Sequence, residues 1–241
     1  MIYSIKLIIE IDNNYIKNNY YSILGSVLNI IGDNKQLKDS ILSISNIHKS
    51  NDDNFSISIS IIGKDSFNNI INIIQNKKEI NINGKIFNIL GLDFNFSIFD
   101  NDTIIYNDYK KIEISFKSPT IIKKEINGID INQLLPIPEV FLLSSIRKYS
   151  KIYGYTIDFD LIKKAIKNNV IVVSFDISTK LVRVKGNNKA GLVGKVKYEI
   201  FDSIDRDTKI LLYNALNLSK LLGIGTGNRL GLGQVGVYFS K

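Results

Sequence analysis

Near the C-terminal end two glycine pairs flank an arginine: Gly223-Ile224-Gly225, five residues that include Gly227 and Arg229, then Gly231-Leu232-Gly233. Glycine accepts positive φ and carries no Cβ, so such a loop lets backbone N–H groups close on a ligand. Successive N–H groups in a turn form an anion-binding nest, and a guanidinium inside it would fork onto a phosphate. These residue types at this spacing point to a loop that grips a nucleic-acid backbone. They do not form a P-loop, because Gly-Lys-Ser/Thr is absent from the stretch. A dinucleotide fingerprint follows a strand and opens a helix, whereas the order here is helix, loop, final strand. The alternative reading is a plain turn before the last strand.

What the chain lacks bounds the remaining chemistry. Among 241 residues there is no cysteine, so disulfides and thiolate metal sites are excluded. His48 is the only histidine, which removes a His-pair zinc site. No metal and no cofactor is expected. No apolar run approaches a membrane span, and the N-terminal stretch lacks a signal-peptide pattern, so a cytoplasmic protein with no membrane partner is expected.

Charge is unevenly placed. Residues 1–107 hold 9 Lys+Arg against 11 Asp+Glu, a balance of −2, while residues 108–241 hold 22 against 12, a balance of +10. A basic half beside a slightly acidic one suggests a polyanion held mainly by the second half. Arg183, Lys185, Lys189, Lys195 and Lys197 crowd two adjacent strand-like segments. Lys163, Lys164 and Lys167 read as a solvated helix face.

The elements that must position these groups follow from periodicity. Residues 1–11 alternate as a strand, and 16–31 carry apolar residues at three- and four-residue spacings, as in an amphipathic helix. Ser40–Ile47 and Phe55–Ile61 alternate around a polar turn containing His48, which predicts a hairpin. A helix over 65–75 and a strand over 85–99 complete β-α-β-β-α-β, the ferredoxin-like unit. The second half repeats the order: a strand at 111–116, a helix at 138–151 with proline at its start, a short helix at 158–168, strands at 170–176, 180–185 and 195–201, a long helix at 205–222, then the glycine loop and a strand at 234–239. The expected fold is α+β, two tandem ferredoxin-like domains, 1–107 and 108–241, joined in the polar stretch Asp100–Asp108.

With these elements in place the chain resembles the CRISPR repeat-processing endoribonucleases of the RAMP superfamily. The glycine loop is similar to that family's Gly-apolar-Gly, five residues, Gly-apolar-Gly pattern. Ser118-Pro119-Thr120 resembles its Ser-Pro-Thr segment, Leu135-Pro136-Ile137-Pro138 its Leu-Pro-x-Pro helix start, and Leu42-Ser43-Ile44-Ser45-Asn46-Ile47 its Phe-Thr-Phe-Ser strand. The resemblance implies metal-independent cleavage of precursor CRISPR RNA within each repeat. A 2′-hydroxyl attacks the adjacent phosphate and leaves a 2′,3′-cyclic phosphate and a 5′-hydroxyl. Such a step needs a base, an acid and a cation on the phosphorane.

Many members carry a catalytic histidine at the end of the first helix, and the matching stretch here, Asn29–Asn34, has none. The catalytic candidates are therefore His48, the chain's one ordinary acid/base near neutrality, with Tyr20 and Tyr21 on the first helix and Lys35 and Lys38 beyond it. For RNA the candidates are Gly223, Gly225, Gly227, Arg229, Gly231 and Gly233, then Lys220, Arg183, Lys185, Lys189 and Lys195. An aromatic stacking signature on the sheet is not evident, and Phe116, Phe175 and Tyr198 read equally well as core. The expected partner is precursor CRISPR RNA; other CRISPR effector subunits and a homodimer stay open. A non-catalytic repeat-RNA-binding RAMP subunit of an effector complex is the alternative function.

Overall fold

The computed structural model describes residues 2–32, 34–45, 47–49, 54–95, 108–184 and 187–241. The chain divides into two compact units, Met1–Asp100 with Asn228–Gly231, and Asn101–Gly227 with Leu232–Lys241. Of the expected junction, Asp100–Asp108, only Asp108 lies among the described residues.

In the first unit the alternation of Ile5, Leu7 and Ile9, all three fully buried, builds β1 (Ile2–Glu10). The Asp12 carboxylate caps α1 (Asn13–Asn29), which leaves helical geometry at Asn19 (φ −124°). Next come α2 (Lys35–Ser40), β2 (Ile41–Ile44), β3 (His48–Lys49), β4 (Asn54–Ile62), α3 (Lys64–Gln75), β5 (Glu79–Ile82) and β6 (Lys85–Asn95). The sheet runs β2-β4-β1-β6-β5, with β3 also on β4. β1 pairs antiparallel with both β4 and β6, as a split βαβ unit requires. Ile23, Leu24 and Val27 of α1 and Phe67, Ile70 and Ile74 of α3 share one core with the sheet. Each such side chain contributes about 1.5–3 kcal/mol by leaving water.

The structure amends the sequence reading here at three places. Ser40 ends a short helix rather than beginning a strand. His48 stands on a two-residue strand, with 50–53 outside the described residues. The closing strand is preceded by a partner, β5, joined to it through Asn83-Gly84.

The second unit follows the same plan: β7 (Lys111–Thr120), β8 (Ile122–Ile126), β9 (Ile129–Gln133), α4 (Pro138–Tyr153), α5 (Phe159–Asn169), β10 (Val170–Val184), β11 (Asn187–Ile200), α6 (Arg206–Leu222) and β12 (Val235–Ser240); the short 3-10 turn Asn228–Leu230 before β12 belongs to the first unit. Its sheet is ordered β10-β11-β7-β12, the ferredoxin-like order again, while β8 and β9 form a separate hairpin. The two strands expected over 170–185 are one continuous strand, paired antiparallel with β11 along its length. Ile112, Ile114 and Phe116 of β7 are buried together with Val196, Tyr198 and Ile200 of β11 and with Phe141, Ile146, Leu212 and Leu216 of α4 and α6. Phe116 meets Phe141 edge-on at 5.6 Å. On the same strands Lys111, Lys117, Lys195 and Lys197 are exposed. Period-two alternation therefore leaves this sheet with one apolar and one charged face.

Candidate nucleic-acid interface and catalytic residues

The glycine loop is built into the protein. Gly223, Gly225, Gly231 and Gly233 are buried and Gly227 is half-buried. Ile224 N–H donates to the Gly233 carbonyl at 2.7 Å, Thr226 N–H to Ile121 at 2.8 Å and Gly233 N–H to Pro119 at 3.0 Å. Gly225 N–H donates to Ser144 Oγ at 3.2 Å and Gln234 N–H to Ser118 Oγ at 2.9 Å. Lys148 Nζ donates to the Gly223 carbonyl at 2.8 Å, and burial lowers that amine to about 7. Ser144 and Lys148, one turn apart on α4, thus hold two ends of one turn.

The loop's glycines answer to packing. At Gly225 (φ +76°) a Cβ would stand 2.3 Å from the Ile121 carbonyl oxygen, and at Gly231 (φ +72°) it would stand 2.3 Å from Leu24 Cδ1. The Ser-Pro-Thr segment is the other half of the same construction. Ser118 and Pro119 accept from the loop, and Thr120 Oγ1 bonds the Ser118 carbonyl. The Leu-Pro-x-Pro segment is fixed by Tyr198, whose hydroxyl donates to the Pro136 carbonyl at 2.9 Å, while Pro138 opens α4.

The loop amides named here have partners at Pro119, Ile121, Ser144, Ser118 and within the loop itself, as buried N–H groups require, instead of standing open as the expected nest. Arg229 has partners as well. Within the first unit its Nε donates to the Ile41 carbonyl at 2.7 Å, its Nη2 to the Asp39 carbonyl at 3.0 Å, and its Nη1 pairs with the Asp39 carboxylate at 3.2 Å. The guanidinium fork that was expected on a phosphate closes instead on the junction of α2 and β2.

The second unit offers cations elsewhere. Lys111, Lys195 and Lys197, with Glu113, Ser115, Tyr238 and Ser240, line a shallow cavity of about 420 Å³ on the charged face of the sheet. Glu113 pairs with Lys197 at 3.3 Å and stands 3.9 Å from Lys195. Tyr238 is 58% exposed beside them. Sequence reasoning missed Tyr238, Lys111 and Glu113; their signal was the alternation of β7 and β12 against buried neighbours. Phe116 and Tyr198 are core, whereas Phe175 is 63% exposed. Arg183 is exposed and Lys189 half-buried farther along the β10–β11 hairpin, and Lys185 lies outside the described residues. Lys220 stands in the last turn of α6 with its ammonium 5.7 Å from the Phe239 ring, and partial burial lowers its pKa.

In the first unit the catalytic candidates fall into two groups. Ile47 N–H donates to the Tyr20 hydroxyl at 3.3 Å, so α1 is tied to the residue before His48. Tyr20 is half-buried, burial pushes its phenol up to about 12, and Tyr21 packs edge-on at 5.1 Å with a pKa also raised by burial. The His48 side chain is exposed. Lys35 and Lys38 stand on α2, exposed and half-buried respectively, on the helix whose end Arg229 grips. Among the described residues no cluster of His, Asp and Glu could hold a metal ion.

The fold has close counterparts. A Cas6 product complex matches with a TM-score of 0.76 at 10% identity, covering 99% of this chain and 100% of that one. Thermus thermophilus Cas6 matches with 0.71 at 11% identity over 99% and 98%. A Cas6-related protein from Pyrococcus furiosus gives 0.60 at 14% identity over 99% of each chain. At these identities the likeness is one of fold. Among curated proteins the sequence has no significant match. The family model for the CRISPR-associated endoribonuclease Cas6 matches residues 114–235, just over half of the sequence. That stretch runs from β7 to the first residue of β12, through the Ser-Pro-Thr segment and the glycine loop that bonds to it, and the chain belongs to the CRISPR-associated endoribonuclease Cas6 family, RNA-cleaving enzymes of CRISPR RNA processing.

Proposed function

We propose that the chain cuts precursor CRISPR RNA within its repeats by a metal-independent in-line displacement. The 2′-hydroxyl loses its proton, its oxygen attacks the adjacent phosphorus, and the bond to the 5′-oxygen breaks. The leaving oxygen takes a proton, which gives a 2′,3′-cyclic phosphate and a 5′-hydroxyl. His48 is the proton-transfer group, since an imidazole titrates near neutrality. Tyr20, with its phenol near 12, keeps its proton at neutral pH and acts by holding the segment before His48. Lys35 and Lys38 supply cations for the phosphorane charge. The observation that carries this reading is the bond from Ile47 to Tyr20, which supports a site at the junction of the first helix and the sole histidine.

RNA is held by the charged sheet face of the second unit, through Lys111, Lys195 and Lys197, with Tyr238 as a stacking surface and Arg183 and Lys189 extending the track. Lysines of this kind position a strand without reading its sequence, and base stacking on an exposed aromatic adds about 1–3 kcal/mol per base. The 2′-hydroxyl requirement makes RNA, and not DNA, the substrate.

Incubation with repeat RNA in EDTA tests the reading. Cleavage at one site with a cyclic phosphate end is expected, and a 2′-deoxy nucleotide just upstream of the cut abolishes it. Substituting His48 by Ala is expected to lower single-turnover cleavage about 100-fold or more with RNA affinity kept; unchanged turnover removes His48 from the chemistry. A specific observation favours a second reading, a non-catalytic repeat-RNA-binding subunit of an effector complex: the end of α1 carries no histidine. Tight repeat binding without products would select it.

A further inference from the structure

Strand β10 is 15 residues long and stands at the edge of its sheet; among the described residues no strand pairs with its outer side. Edges of this length are usually shortened, bulged or covered, because unpaired N–H and C=O groups recruit another strand. Here Ser174, Phe175, Asp176, Ser178, Thr179, Lys180 and Leu181 are all exposed, with Phe175 at 63% and Leu181 at 70%. The one irregularity in its pairing with β11 falls between Val172 and Ser174, so the strand is regular from Ser174 onward.

The sequence Ser174-Phe175-Asp176-Ile177-Ser178-Thr179-Lys180-Leu181-Val182 is complementary to itself when reversed. We propose that two copies of this chain associate by pairing their β10 edges antiparallel about a two-fold axis at Ser178. An axis normal to the sheet keeps every side chain on its own face, so only registers centred on a residue are open. Centring on Ser178 sets Asp176 opposite Lys180 of the second copy, and Lys180 opposite its Asp176. On the other face it sets Phe175 opposite Leu181, twice, with Ile177 opposite Thr179 between them. Centring on Ile177 would place Asp176 against Ser178 and Lys180 against Ser174. Centring on Thr179 would place Asp176 against Val182 and Lys180 against Ser178. Only the Ser178 register joins both charges and covers both exposed apolar side chains at once. Directly opposed pairs are the unit of stabilisation in a sheet, and a symmetric contact makes every favourable pair occur twice.

Sedimentation equilibrium of the full chain without RNA, at physiological salt to screen the net charge of +8, tests this. The wild type is expected to be dimeric at micromolar concentration. Lys180→Asp sets carboxylates opposite one another, Asp176→Lys sets ammonium groups opposite one another, and each is expected to weaken association about tenfold or more. The double variant Asp176→Lys/Lys180→Asp swaps the charges and is expected to restore the wild-type constant, with circular dichroism and melting curves confirming that all four proteins fold. A monomeric wild type overturns the proposal, as do single reversals that associate normally or a swap that fails to rescue. Because no RNA is present, these outcomes are independent of the cleavage reading.

Discussion

The glycine loop and the charged face of the second sheet differ in what surrounds their polar groups. In the loop Arg229 has a carboxylate and two carbonyls at 2.7–3.2 Å, and hydrogen bonds from the loop amides tie it to Pro119, Ile121, Ser144 and itself. On the sheet face Lys195 and Lys197 share one carboxylate, Glu113, and remain exposed. A group already bonded within the protein has less to gain from a phosphate than an exposed ammonium, which gains by releasing counterions. Under the proposed function the contrast separates a strut from a grip: the loop sets shape and the sheet face holds the polyanion.

The largest expected effect comes from breaking the strut. Gly225→Ala puts a methyl 2.3 Å from the Ile121 oxygen at a backbone φ of +76°. It is expected to lower unfolding free energy by about 3 kcal/mol or more in denaturant titration. A smaller effect is expected from Lys148. Its amine sits near 7 against an ordinary 10.5, so between these values the unfolded chain binds more protons than the folded one and stability rises with pH. Its slope is at most about 1.4 kcal/mol per pH unit. Above about 10 the raised phenols of Tyr20 and Tyr149 act with the opposite sign, since the folded chain then holds the extra protons. Lys148→Met should flatten the rise, as read from unfolding curves at pH 7 and 10. Arg229→Ala should remove about 1–3 kcal/mol of stability through its three lost bonds.

Much of the scaffold was readable from period alone. Ile5, Leu7 and Ile9 alternate, and Phe67, Ile70 and Ile74 recur at helical spacing, so β1 and α3 were legible. Helix α2 was not, because six residues are too few for a period to emerge; its signal was Asn34, whose side chain caps the Leu37 amide. Two hairpins were passed over although Asn83-Gly84 and Asn127-Gly128, both at positive φ, announce them. The functional map was harder to read for a different reason. A sequence displays a guanidinium but not what it faces, and the partner of Arg229 lies 190 positions away at Asp39. Lys148 was overlooked among surface lysines, though it falls on the stripe of α4 that carries Phe141, Leu142 and Ser145. Lys195 was legible as a strand cation because it alternates with buried Val196.

The separation of strut from grip is tested most directly by the salt dependence of repeat-RNA binding in two variants. Lys195→Ala/Lys197→Ala is expected to reduce the slope of log affinity against log salt by about 1–2, since each lost phosphate contact removes a little under one. Arg229→Ala is expected to keep the wild-type slope in folded protein. A reduced slope for Arg229→Ala together with a wild-type slope for the lysine pair would contradict it and return the grip to the glycine loop.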